Sequence, residues 1–139
     1  MTDWPRTGCS TIVTQGGKVL LIKRGKQPFE GYWSLPGGAQ EPGETLEDCA
    51  RRELLEETRL SADALNPVGA RDRIARNESG DITHHFVIVT FLASAFNGEA
   101  VASDDAADIG WFSIDEMRTL EMTPDTLNLL IEVLDLPSE

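Results

Sequence analysis

Short apolar runs separated by turn residues divide the chain, and their spacing predicts strands first and a helix after them. Residues 7–14 (TGCSTIVT) are rich in β-branched side chains, Gln15-Gly16-Gly17 is a turn, and residues 18–24 (KVLLIKR) resume as the hairpin partner. Residues 32–35 form at most a short strand, and the loop after it is punctuated by Pro36-Gly37-Gly38 and Glu41-Pro42-Gly43. At Thr45 the period changes to that of a helix, with Thr45 as N-cap and Asp48 three residues on, running to about Thr58. Residues 68–75 read as a strand. Residues 84–95 (HHFVIVTFLASA) read as another, whose unbroken apolar run implies burial on both faces. Residues 109–112 form a short apolar strand, and Ser113 with Glu116 makes a capping box for a short helix. Thr123-Pro124 supplies the N-cap and first position of a last helix reaching about Leu134. Strands with interspersed helices predict an α/β fold, a mixed β-sheet packed between helices.

One element carries an unexpected charge pattern. Residues 51–58 (RRELLEET) crowd Glu53, Glu56 and Glu57 onto neighbouring helical positions, where like charges cost roughly 0.2–0.5 kcal/mol per pair. At about 100° per residue, Leu46, Ala50, Glu53 and Glu57 share one sector, so two of the glutamates continue the apolar stripe. A solvated face would be centred across the helix, near Asp48, Arg51 and Leu55. Inward carboxylates are costly unless paired or bound to metal, and hard oxygen ligands suit Mg²⁺. Arg52 can reach Glu56 one turn on, or Glu44 across the preceding loop. Gly37-Gly38 lets backbone approach a ligand closely, although the loop taken alone reads as an ordinary glycine-rich connection.

Composition narrows the partners. A length of 139 residues with 40% hydrophobic content fits one globular domain, 1–139, with no repeat or linker. A net charge of −12 disfavours nucleic acid or an anionic membrane as partner, and leaves a phosphorylated small molecule open if a cation inverts the local field. No apolar run is long enough for a membrane helix, and no secretory signal opens the chain, so a cytoplasmic protein is expected. Cys9 and Cys49 match no metal spacing and read as small buried residues in a reducing compartment.

Gly38, five residues, Glu44, seven residues, then Arg52-Glu53-Leu54-Leu55-Glu56-Glu57-Thr58-Arg59-Leu60 resembles the Nudix box, GX5EX7REUXEEXGU, where U is aliphatic. The departure is Arg59, which stands where the family has glycine. The order of a hairpin, WSLPGG, the box, HHFVIVTFLA and a WF pair before a short helix extends the resemblance over most of the chain. It implies a Nudix-type α/β/α sandwich that hydrolyses a nucleoside diphosphate linked to another moiety, with Mg²⁺ or Mn²⁺ as cofactor. The implied metal ligands are Glu53, Glu56, Glu57 and the Gly37 carbonyl, with Arg52 and Glu44 as the ion pair that orients them. The implied general base is Glu53, or an acid in the segment before Trp111, where Asp104 and Asp105 stand.

The layout is similar to compact bacterial ADP-ribose pyrophosphatases. Those enzymes often carry a proline about 15 residues beyond the box, and this chain departs from them with Ile74 near that point. Arg24 either contacts phosphate or is a surface arginine, and Gly38 lies where backbone meets substrate. Phe29, Tyr32 and Trp33 could offer a stacking surface for a base, Trp33 reading rather as core. His84 and His85 read as strand-packing residues. ADP-ribose, cleaved to AMP and ribose 5-phosphate, is the expected substrate. A nucleoside triphosphate pyrophosphatase would share every box residue, whereas a non-catalytic sensor would be expected to have lost box glutamates. The expected assembly is a monomer or homodimer.

Overall fold

In the computed structural model, which describes residues 4–137, β1 (Arg6–Ile12) and β2 (Thr14–Gln15) lead into β3 (Lys18–Arg24). Gly16 and Gly17 make the β2–β3 turn at φ 58° and 78°, the paired positive angles that match a hairpin's twist. The glycine-punctuated segment contributes β4 (Trp33–Ser34) and β5 (Gly37–Ala39). Helix α1 (Leu46–Thr58) begins where expected, with the Thr45 side chain accepting from the Asp48 amide at 3.1 Å. After it come β6 (Ser61–Ala62), β7 (Leu65–Arg76), β8 (Ile82–Ala93), β9 (Phe96–Asn97) and β10 (Ala106–Phe112). Helices α2 (Ile114–Met117) and α3 (Thr126–Val133) close the order.

The predicted mixed sheet is divided into two larger sheets, with β6 and β9 forming a separate two-stranded ribbon. One sheet runs β5-β1-β8-β7 and is mixed, since β1 and β8 pair in parallel while β5 and β7 are antiparallel to their neighbours. The other runs β10-β3-β2, with β4 also on β3. Apolar cores lie on both sides of this β layer. Cys49, Ala50 and Leu54 of α1 pack with Cys9, Val13, Leu20 and Phe91. Met117 of α2 and Leu130 of α3 pack with Ile12, Val19, Leu21 and Leu35. The α/β/α architecture follows, and Cys9 and Cys49 are free, buried and in contact with one another.

Three expectations need correction. Of the hairpin expected between residues 7–14 and 18–24, only Thr14–Gln15 pairs with β3, while β1 lies in the other sheet between β5 and β8, because the chain crosses from one sheet to the other after Ile12. Thr123 does not cap the last helix: its hydroxyl bonds the Thr126 hydroxyl at 2.6 Å and no helix amide, while its N–H donates to the Trp33 carbonyl at 2.9 Å beside β4. The helix starts after Asp125, which sits at φ 64° with no side-chain cap. Nor is β8 buried on both faces throughout, because its first half lines a cavity and is half-exposed while Ile88, Thr90, Phe91 and Ala93 are buried. The Ser113–Glu116 capping box is present with both of its hydrogen bonds.

Candidate active site

Both sheets contribute to the lining of a cavity of about 530 Å³. Gly8 and Ser10 of β1, Ile22 and Arg24 of β3, and Phe86 and Ile88 of β8 line it, as does Arg73 of β7. Its acidic wall is α1 seen across β5, contributing Arg52, Glu53 and Glu57.

The inward stripe read from the sequence is real. Glu57 is buried at 5% exposure, and Leu55, across the helix, is 50% exposed. The Gly37 N–H donates to Glu57 Oε1 at 2.8 Å, tying β5 to the helix. Burial pushes the Glu57 carboxyl up to about 8, with the charges of Glu53 and Asp105 adding to it and the Gly37 hydrogen bond and Arg24 opposing it. Burial also raises Glu53, against the contrary pull of Arg52.

Arg52 reaches both of the partners left open above. It makes a bidentate pair with Glu44 (2.7 and 2.9 Å), and also meets Glu53 at 2.7 Å and Glu56 at 3.2 Å. A further donor goes to the Ala39 carbonyl at 3.0 Å, so one guanidinium holds loop, β5 and helix in register. The hydrogen bonds from Arg52 hold Glu44 down at about 2. Such planar forks are the stronger kind of charge-assisted hydrogen bond.

Glycine is required at 37, where a Cβ would collide with the Cys9 carbonyl oxygen of the backbone, and at 38 it leaves room for the Glu53 carboxylate, which a Cβ would meet at 2.6 Å. Arg24 lines the cavity, anchored by Nε to the Pro28 carbonyl at 2.6 Å. Asp105 also lines it, in an ion pair with Lys26 at 2.7 Å, while Asp104 is exposed at φ 55°. Phe29 lies outside the cavity lining, edge-on to Tyr32 at 5.7 Å. Trp33 packs on Phe112 at 4.9 Å in the core. His85 pairs with Asp72 at 2.9 Å. The aromatic wall comes instead from Trp4, His84 and Phe86, with ring centroids 5.2–5.3 Å from Trp4. Arg73 also escaped the sequence reading. Its alternation with Arg71 on β7 was the available signal.

The donor set fits a hard divalent cation by type. Glu53, Glu56 and Glu57 offer carboxylate oxygens, and the charges of Glu53 and Glu57 oppose one another. Among the described residues, however, no three His, Cys, Asp or Glu side chains converge as a ligating group. Glu53 and Glu56 are drawn to Arg52, and Glu57 to the Gly37 amide. Cation binding therefore asks Glu53 and Glu56 to turn from Arg52, which keeps its bidentate hold on Glu44.

An α/β/α sandwich in which one helix presents Glu53 and Glu57 to a cavity lined by both sheets defines a fold with an acidic centre. The family model of the NUDIX domain matches residues 4–132, and the chain belongs to the Nudix family. It is 34% identical over 116 residues to an ADP-ribose pyrophosphatase of Methanocaldococcus jannaschii, covering 84% of this chain and 66% of that protein. It is 36% identical over 118 residues to an oxidized purine nucleoside triphosphate hydrolase of Danio rerio, covering 84% and 71%. The crystal structure of a MutT NUDIX hydrolase from Burkholderia pseudomallei superposes with a TM-score of 0.81 at 31% identity, covering 94% of this chain and 98% of that one. The chain is thus a Nudix pyrophosphohydrolase of nucleoside diphosphate derivatives. Among the described residues no helix is long and apolar enough to cross a membrane.

Proposed function

We propose that this enzyme hydrolyses ADP-ribose to AMP and ribose 5-phosphate with Mg²⁺ or Mn²⁺ bound by Glu53, Glu56, Glu57 and the Gly37 carbonyl. The observation that carries the reading is the buried Glu57 beside Glu53, facing a cavity that also holds Arg24. Bound there, the cation supplies charge to polarise the diphosphate and to acidify water. The residues of the chain do the rest. Arg24 holds a phosphate through the Nη groups that its Pro28 anchor leaves available. The Arg52–Glu44 pair positions Glu53. Glu53 or Asp105, both lining the cavity, accepts the proton as a water oxygen bonds to one phosphorus and the P–O–P bridge breaks. The identity to the M. jannaschii enzyme favours ADP-ribose.

A second reading, a nucleoside triphosphate pyrophosphatase, is favoured by the identity to the D. rerio protein. Comparing kcat/KM for ADP-ribose, other nucleoside diphosphate sugars and dNTPs separates the two, because that ratio measures discrimination. ADP-ribose should win. A dNTP preferred tenfold would replace it with the second reading. Glu57→Gln should lower kcat about 100-fold or more, since a neutral amide forfeits several kcal/mol of interaction with the cation. Near wild-type turnover by that variant would overturn the ligand assignment. Asp105→Asn against Glu53→Gln identifies the base: the variant whose pH–rate profile loses its acidic limb held it.

A further inference from the structure

The chain has two cysteines, forty residues apart in sequence, and the fold brings their sulfurs to 2.9 Å from one another. Cys9 lies in β1 and Cys49 near the start of α1. Both are free, at 3% and 0% exposure, in the core that joins α1 to the sheet. A buried thiol standing alone acts as a small apolar residue, and packing makes no demand that two of them meet. Here about 1 Å of further approach would bring the sulfurs to the roughly 2.04 Å of a disulfide bond. The chemistry proposed for the cavity uses neither sulfur.

The pair sits where α1, β5 and β1 come together. Cys9 is the register partner of Gly38. The Cys49 sulfur lies 3.8 and 3.6 Å from the Gly38 and Ala39 carbonyl oxygens, and 4.0 Å from Arg52 Nη2. Glu53 follows Cys49 by one turn of the helix. A bond between the sulfurs would therefore fasten the helix that carries the glutamates directly to the central strand pair. Of the two residues, Cys9 borders the cavity and Cys49 does not. Hydrogen peroxide is little larger than water, and a cavity of about 530 Å³ admits it.

We infer that Cys9 and Cys49 are an oxidisable dithiol, which hydrogen peroxide entering by the cavity closes into an intramolecular disulfide that latches α1 to β1. The Cys9 sulfur takes one peroxide oxygen as the O–O bond breaks, giving a sulfenic acid and releasing the other oxygen as water. The Cys49 sulfur then bonds to the Cys9 sulfur as the S–O bond breaks. The hydroxyl leaves with the Cys49 proton as a second water. Two thiols give up two electrons and two protons, and the peroxide is reduced to two waters. In a reducing compartment the pair rests as thiols, and exchange with a small thiol returns it to that state. Closing a loop of this length withdraws conformations from the unfolded chain, so the latched form is the more stable one.

Peroxide treatment of the reduced full-length protein, followed by denaturation in iodoacetamide and intact mass measurement, tests the inference. The product should weigh two hydrogen atoms less than the reduced chain, with neither cysteine alkylated, and should run as a single chain on a non-reducing gel. Its Tm should rise by about 5 °C or more, and dithiothreitol should reverse every change. Cys49→Ala should leave Cys9 as a sulfenic acid that dimedone traps, with no rise in Tm. Cys9→Ala should leave Cys49 about tenfold or more slower to oxidise than Cys9 is in Cys49→Ala, because Cys49 does not border the cavity. Equal rates in the two variants overturn the cavity route. Thiols that both remain open to alkylation, separate sulfinic acids, or a disulfide between two chains overturn the dithiol itself. The wild-type mass needs no variant, so it decides the matter even where an alanine change prevents folding. None of these readouts depends on which nucleotide the cavity takes.

Discussion

Glu57 concentrates the chemistry of the site in one side chain. Its carboxyl, near 8 in the folded protein without metal, would titrate near 4.5 in an open chain. Between those values the folded state retains a proton that the unfolded state has released, so stability falls as pH rises through the interval. Glu53 is raised by burial and acts in the same direction. Glu44 acts oppositely, because it is held near 2: its contribution is present above about 4.5 and disappears as pH falls toward 2. The two windows do not overlap. Denaturant titrations in chelator should therefore show the metal-free protein losing stability from pH 5 to pH 8, and Glu57→Gln should flatten most of that decline. An unchanged slope in the variant would place the proton uptake elsewhere.

At the scale of elements, α1 is held at both ends by features that bear on the site. Near its β5 side, the space a side chain would need at Gly38 is filled by the Glu53 carboxylate. The obstruction is the tip of a flexible side chain, so Gly38→Ala should displace the carboxylate and leave the backbone in place. We expect kcat/KM to fall about tenfold or more, since one misplaced group costs 1.4 kcal/mol or more of transition-state stabilisation, while the melting temperature moves little. At the other end, Arg59 closes the helix at φ 66°, its amide donating to the Leu55 carbonyl at 3.0 Å. The left-handed turn that the family's glycine would make is thus made by arginine, at a cost of roughly 1–2 kcal/mol. Arg59→Gly should stabilise the protein by about 1 kcal/mol by chemical denaturation, the gain reduced by the greater freedom of glycine in the unfolded chain. The Arg59 Nε contact to Ser103 Oγ, exposed and 3.3 Å long, is too weak to reverse that sign.

For the whole molecule, the proposed cation would link the acidic excess to the site. The apo arrangement spreads the glutamates over Arg52 and the Gly37 amide, and a bound ion would gather them. Binding to the native state alone raises stability by about 2.7 kcal/mol at a hundredfold excess over Kd. Calorimetric scans should show a higher Tm in millimolar Mg²⁺ or Mn²⁺, with a larger rise at pH 8 than at pH 6, because the ion must displace the Glu57 proton. A Tm indifferent to both metals would count against a native site.

Local pattern alone was enough for the Gly16-Gly17 turn, the capping box and α1, whose N-cap, length and inward glutamate stripe are set by neighbours within a few residues, but not for the partners of residues 7–12, which pair with β5 and β8 instead of with β3. The box residues were legible through their resemblance to the Nudix box, and helical spacing by itself put Glu53 and Glu57 on the inward stripe but left Arg52's partner open between Glu56 and Glu44, both of which it meets. Features made by residues far apart in the chain were settled by tertiary structure. The division of the β layer into two sheets depends on which strand edges meet. Thr123 lost its capping role because the helix starts only at Thr126 and the Thr123 hydroxyl is engaged by the Thr126 hydroxyl and by Arg73, a residue fifty positions earlier. The cavity's aromatic wall joins Trp4 to β8, leaving Phe29 packed on Tyr32 outside it. Arg73 looks like any strand cation until the fold withdraws it from water without a carboxylate beside it. Periodicity reports which way a side chain points from its own element, whereas burial without a partner depends on what every other element brings to the same place.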